Sequence, residues 1–184
     1  MALQHTPDLE AQRAAMRKLS FLIGQWDGEG RLLRGGSVVD LKQSEEAQYK
    51  LDGLVLMIEG VGRKKAGGES ALQALGIISY DDARGTYHMR AFNDGRFLET
   101  EVKLASDGQG MSWGFSLGEI RTKSELRIGE SGEWKELHQV TIGAQEPKNF
   151  MELTVRKIAI AESAEPSPIV TDLSGDSNTR KKRG

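Results

Sequence analysis

Glu119-Ile120-Arg121-Thr122-Lys123-Ser124-Glu125-Leu126-Arg127-Ile128 alternates without a break. Ile120, Thr122, Ser124, Leu126 and Ile128 fall on one parity, and Glu119, Arg121, Lys123, Glu125 and Arg127 on the other. A period of two marks a strand with one face on a core and the other in water. The pattern recurs upstream. Met111, Trp113, Phe115 and Leu117 oppose Ser112, Gly114 and Ser116, while Leu98, Thr100, Val102 and Leu104 oppose Glu99, Glu101 and Lys103. The first-named set in each case is expected to face an interior.

Extended along the chain, the same period gives ten strand-like runs, at 24–34, 38–49, 53–62, 71–80, 85–92, 96–105, 109–117, 119–129, 133–142 and 150–158. Gly35-Gly36, Asp52-Gly53, Gly67-Gly68, Asp94-Gly95 and Asp107-Gly108 separate them, together with Asp81-Asp82-Ala83-Arg84-Gly85 and Gly129-Glu130-Ser131-Gly132. These are hairpin turns, and connections so short join antiparallel neighbours only. The expected fold is therefore all-β: an antiparallel up-and-down barrel of about ten strands, whose closure removes exposed edges and leaves room for one small ligand. A two-sheet sandwich is the competing architecture, and it calls for longer crossing connections. Before the strands, Thr6-Pro7 reads as a helix start with Thr6 as N-cap, and Leu9, Ala15, Met16 and Leu19 form one stripe. This short helix is expected to close one end of the barrel.

The barrel domain is placed at 6–160. Residues 161–184 are rich in Ser, Asp and Pro, end in Arg180-Lys181-Lys182-Arg183-Gly184, and are expected to be disordered. With 25 Lys and Arg against 27 Asp and Glu, the chain has no basic field to attract nucleic acid. It has no cysteine, which excludes disulfides and thiol chemistry. No apolar run is long enough to span a membrane as a helix, and no partnership with a membrane is expected. The N-terminus lacks a basic-then-apolar export pattern, so a cytoplasmic location is expected. The three histidines, His5, His88 and His138, show no metal-ligand spacing, and no metal is expected.

Polar side chains on apolar faces are the candidates for function, because burying them without partners is costly. Glu136 and His138 share a parity with Trp134, Val140 and Ile142. Glu59 ends the apolar run from Leu54 to Ile58, and His88 and Arg90 share a face with Thr86 and Phe92. In one reading these groups anchor the polar end of a ligand, with Met111, Trp113 and Phe115 lining its apolar part and His138 with Glu136 or Glu59 as an acid–base pair. In the other they satisfy one another inside a partly hydrated barrel. No nucleophile elbow or phosphate-cradling glycine loop is present.

Phe21-Leu22-Ile23-Gly24-Gln25-Trp26-Asp27-Gly28-Glu29-Gly30 resembles the opening of calycin-superfamily barrels: lipocalins in the Gly-x-Trp, nitrobindin-like proteins in the longer Gly-x-Trp-x-Gly-x-Gly. With Gly53 to Gly60, Ile78 to Asp81, Gly132 to Glu136, Phe150 to Leu153 and Arg156, the chain is similar to an uncharacterised bacterial family of lipocalin-like barrels of unknown function. The lipocalin resemblance implies that Gly24 and Trp26 are architectural and that Arg156 packs over Trp26 at the barrel base. Nitrobindin-like relatives hold haem through a His at the start of the last strand. Phe150 stands there, which argues against haem unless His138 substitutes for it.

The expected function is binding of a small, partly apolar molecule inside the barrel, with no resident cofactor. The alternatives are a small-molecule enzyme using a His–carboxylate pair, and haem binding. A homo-oligomer is a further expectation, with Leu54, Leu56 and Ile58 as apolar area for pairing.

Overall fold

The computed structural model describes residues 6–158. The tail, with its basic end, lies outside the described residues. Eleven strand segments follow one another: β1 (Gly24–Arg34), β2 (Ser37–Lys50), β3 (Val55–Lys64), β4 (Ser70–Asp81), β5 (Thr86–Asn93), β6 (Arg96–Leu104), β7 (Gly110–Trp113), β8 (Ser116–Leu117), β9 (Ile120–Ile128), β10 (Trp134–Ile142) and β11 (Lys148–Lys157). Neighbours in sequence pair antiparallel; β9 carries both β7 and β8 on one side and β10 on the other, and β11 returns to β1. The short β7 and β8 thus share one position, and ten strands close into a barrel. The meander topology expected from the turns is the one observed.

Turn chemistry explains the hairpins. Asp94 and Gly95 both have positive φ, 46° and 77°, the pairing a type I′ turn demands. Inward residues follow from the register. On β6 they are Leu98, Thr100, Val102 and Leu104, on β9 Thr122, Ser124, Leu126 and Ile128, and on β11 Met151, Leu153 and Val155. The core is continuous from these strands into the N-terminal helices.

Helix α1 (Leu9–Met16) and a 3-10 helix (Arg17–Leu22) seal one end. The N-cap is Asp8, not Thr6: its carboxylate accepts the Ala11 N–H at 3.0 Å, and a carboxylate also suits the positive end of the helix dipole. Met16, Leu19 and Leu22 are fully buried. The barrel satisfies carbonyls that these helices leave open. Tyr87 donates to Ala15 O, Tyr49 to Met16 O and Trp26 Nε1 to Leu22 O, each at 2.8 Å. Gln12 donates to Asp82 Oδ1 and Arg13 pairs with Asp52, so the plug is tied to two turns of the same end. The opposite end carries hairpin tips with exposed Leu33, Val38, Phe97, Leu117 and Ile142.

The base differs from the lipocalin expectation in one residue. Val155 is fully buried, so its neighbour Arg156 points outward, with Nη1 3.4 Å from Ser131 O. Lys157, on the inward parity, places Nζ 5.4 Å from the Trp26 ring centre. Trp26 also meets Trp134 edge-on at 5.4 Å. Gly24, at φ 129°, is confined to glycine by its backbone, and a Cβ there would sit 2.6 Å from Lys157 Cε. Leu56 is fully buried and Ile58 packs against the core, so neither belongs to an outer pairing face. No helix among the described residues is long and apolar enough to cross a membrane.

Candidate functional site

Three strands bring polar side chains together inside the barrel. β10 turns Trp134, Glu136 and His138 inward, β9 contributes Ser124, and β2 contributes Gln43 and Glu45. His138 Nε2 lies 2.8 Å from Glu136 Oε2, and His138 Nδ1 lies 2.9 Å from Ser124 Oγ. Trp134 Nε1 donates to the other oxygen of Glu136 at 2.9 Å. The rings of Trp113 and Phe150 flank the imidazole, each with centres 5.8 Å away. Phe150 reaches it because the pairing of β10 with β11 shifts register between His138 and Gln139.

On β2, Gln43 is 2% and Glu45 8% exposed. Gln43 Nε2 donates to Glu45 Oε1 at 2.7 Å. Gln43 Oε1 is buried with no hydrogen-bond partner among the described residues. Burial pushes the Glu45 carboxyl well above the usual carboxylate range, and the Glu136 carboxylate pushes it further; the bond from Gln43 opposes both. Two carboxylates in one water-poor interior cannot both ionise cheaply.

Glycines make room for these two side chains. Glu45 stands opposite Gly60 of β3, and Gln43 opposite Gly62 of β3 and Gly28 of β1. A Cβ on Gly60 would lie 2.7 Å from Glu45 Oε2, and one on Gly62 2.7 Å from Gln43 Oε1. A Cβ on Gly28 would collide with Thr154 O at 2.2 Å. Bare backbone at Gly60 and Gly62 leaves the space that the Glu45 and Gln43 side chains fill, and bare backbone at Gly28 lets β1 and β11 approach closely.

The other expected site residues fall into two groups. Met111 is buried in the core, and Trp113 is half-buried against His138. Glu59, His88, Arg90 and Phe115 do not join the cluster. Glu59 is exposed because the inward set of β3 is Leu56, Ile58, Gly60 and Gly62, a parity hidden in the sequence by its two bare glycines. On β5, Tyr87, Met89 and Ala91 turn inward, leaving Arg90 outside with Glu99 at 3.3 Å and His88 Nε2 beside Thr86 Oγ1. Phe92, which suggested the opposite face, packs on Phe97 outside at 5.4 Å. Phe115 falls in the break between β7 and β8. It borders an outer cleft of about 470 Å³ with Arg121, Lys123, Gln139 and Thr141. Gln43 and Glu45 are absent from the residues that the sequence pattern picks out. The signal that locates them is the opposition of their parity to glycines on the flanking strands.

The Ser124–His138–Glu136 line can hold a proton at either ring nitrogen, with Glu136 accepting from Nε2–H and Ser124 exchanging donor and acceptor roles at Nδ1. Among the described residues, no three His, Cys, Asp or Glu side chains converge as a metal site. No family model matches the sequence, and no curated protein matches it. Among solved structures, the chain resembles Rv2717c from M. tuberculosis, with a TM-score of 0.59 and 13% identity over 79% of this chain and 98% of that one. That likeness establishes a shared fold, the antiparallel β-barrel.

Proposed function

We propose that this barrel binds a small, partly apolar molecule whose polar end meets the Gln43–Glu45–Glu136–His138 cluster. The observation that carries this reading is the unpaired Gln43 Oε1 beside a carboxyl held above its usual range. A barrel needed only for stability is better served by apolar residues at these positions. Trp113, Phe150 and the neighbouring core supply an apolar wall, the usual composition of a small-molecule site. We read the chain as calycin-like on the Gly24-x-Trp26-x-Gly28-x-Gly30 opening and the closed meander. We read the site as one without haem, because Phe150 offers no ligand and both nitrogens of His138 are engaged.

Native mass spectrometry of the purified chain, before and after denaturing extraction, tests the proposal. A discrete mass lost on extraction is the expected result. A single apo mass, with no small molecule in the extract and none taken up from a compound library, overturns it. Acid–base chemistry at His138 is a second reading, favoured by the 2.8 Å His138–Glu136 contact. It predicts that an extracted ligand changes mass on incubation with the protein and stays unchanged with His138→Gln.

A further inference from the structure

Resting on the barrel as a small-molecule site, we infer that the buried end of its ligand is a protonated amine with N–H donors, seated among Glu45, Glu136 and the side-chain carbonyl of Gln43. The sign of charge is the first argument. Inward positions among the described residues carry Glu45, Glu136 and the imidazole of His138, while the cations on the inward parity are engaged elsewhere: Lys157 over the Trp26 ring, Arg34 with Asp94 and Lys64 with Glu69 at the opposite rim. Glu136 already has Trp134 and His138 as partners, whereas Glu45 receives its hydrogen bond from a neutral amide. An incoming cation compensates that carboxylate as no group of the wall does.

The second argument is Gln43. Its Nε2 is engaged by Glu45, and its Oε1, on a residue only 2% exposed, has no partner among the described residues. A carbonyl oxygen only accepts, so what it lacks is a donor. A quaternary ammonium has no N–H to give. A carboxylate ligand would add a further negative charge to the interior. A hydroxyl would satisfy Gln43 and leave Glu45 uncompensated. An ammonium with N–H groups answers both needs, and the nearby indole of Trp113 favours a cation over an anion.

Binding then shifts a proton. Burial raises the Glu45 carboxyl in the free barrel and an arriving ammonium lowers it again, so binding drives a proton from Glu45 to solvent. The test uses the full chain and matched probes on two apolar bodies: tryptamine, indole-3-acetate and tryptophol, and hexylamine, hexanoate and hexanol. Calorimetry is expected to show an amine binding roughly tenfold or more tighter than its acid and its alcohol. In buffers of differing ionisation heat, amine binding at pH 7 releases a proton from the native chain and none from Glu45→Gln. Glu136→Gln, which leaves Glu45 in place, weakens the amine and spares the alcohol. If an acid or alcohol binds as tightly as its amine, or if both variants keep the amine affinity, the ammonium inference falls and the barrel site stands. If none of the six binds at millimolar concentration, the ammonium inference falls, and the barrel site is decided by the native mass spectrometry above.

Discussion

At the scale of single residues, Glu45 and Glu133 respond to pH in opposite directions. The Glu45 carboxyl is raised in the folded state, so the fold is favoured while Glu45 is protonated and penalised as pH climbs above the unfolded carboxyl value toward the raised one. Glu45→Gln is therefore expected to raise the melting temperature at pH 8 and to change it little at pH 4. A thermal melt series across that range decides this, and a variant that loses stability at pH 8 contradicts it. Glu133 is the reverse. Hydrogen bonds from Lys135 and Ser131 hold its carboxyl down to about 2. Its contribution is complete above the ordinary value of 4.5 and disappears as pH falls through about 2. Denaturant titrations of the native chain and Glu133→Gln should differ at pH 6 and converge near pH 2.

At the scale of elements, β2 and β3 behave as one unit in which a bare backbone faces a buried acid. Gly60→Ala sets a methyl group 2.7 Å from Glu45 Oε2 and is expected to destabilise the chain by about 1–3 kcal/mol, the range for overpacking. Glu45→Ala removes the obstacle. The double variant should recover part of the loss, and a double-mutant cycle measured by chemical denaturation reads that coupling. Additive effects would show that the two positions do not meet. These strands also show what the sequence can and cannot convey. The faces of β9 are legible because every residue of one parity is charged and every residue of the other is not. On β2, Lys42, Gln43, Ser44, Glu45 and Glu46 are polar in succession, so period two has nothing to separate. Their facing is decided by neighbours distant in sequence, Gly28 and Gly62 for Gln43 and Gly60 for Glu45. His138 and Glu136 are legible because Trp134 and Val140 bracket them on the same parity. His88 and Arg90 mislead because Phe92 is apolar and yet packs outside on Phe97.

At the scale of the whole molecule, the plug and the wall stabilise each other. Leu19→Ala empties a fully buried position beneath the barrel end and should cost about 2–5 kcal/mol in denaturant unfolding. Tyr49→Phe removes only the bond to Met16 O and should cost about 1 kcal/mol. A Leu19→Ala loss no larger than that of Tyr49→Phe would mean that the helices rest loosely on the barrel. The seam between β1 and β11 joins Trp26 to Lys157 and Leu32 to Met151. A ribosome therefore delivers one half of this seam long before the other. Until β11 emerges, β1 can gain a partner on its β2 side alone, and its other edge stays open to foreign strands. Nascent chains halted after β10 should consequently be sticky, and release of the last strand should be the event that makes the protein safe from aggregation.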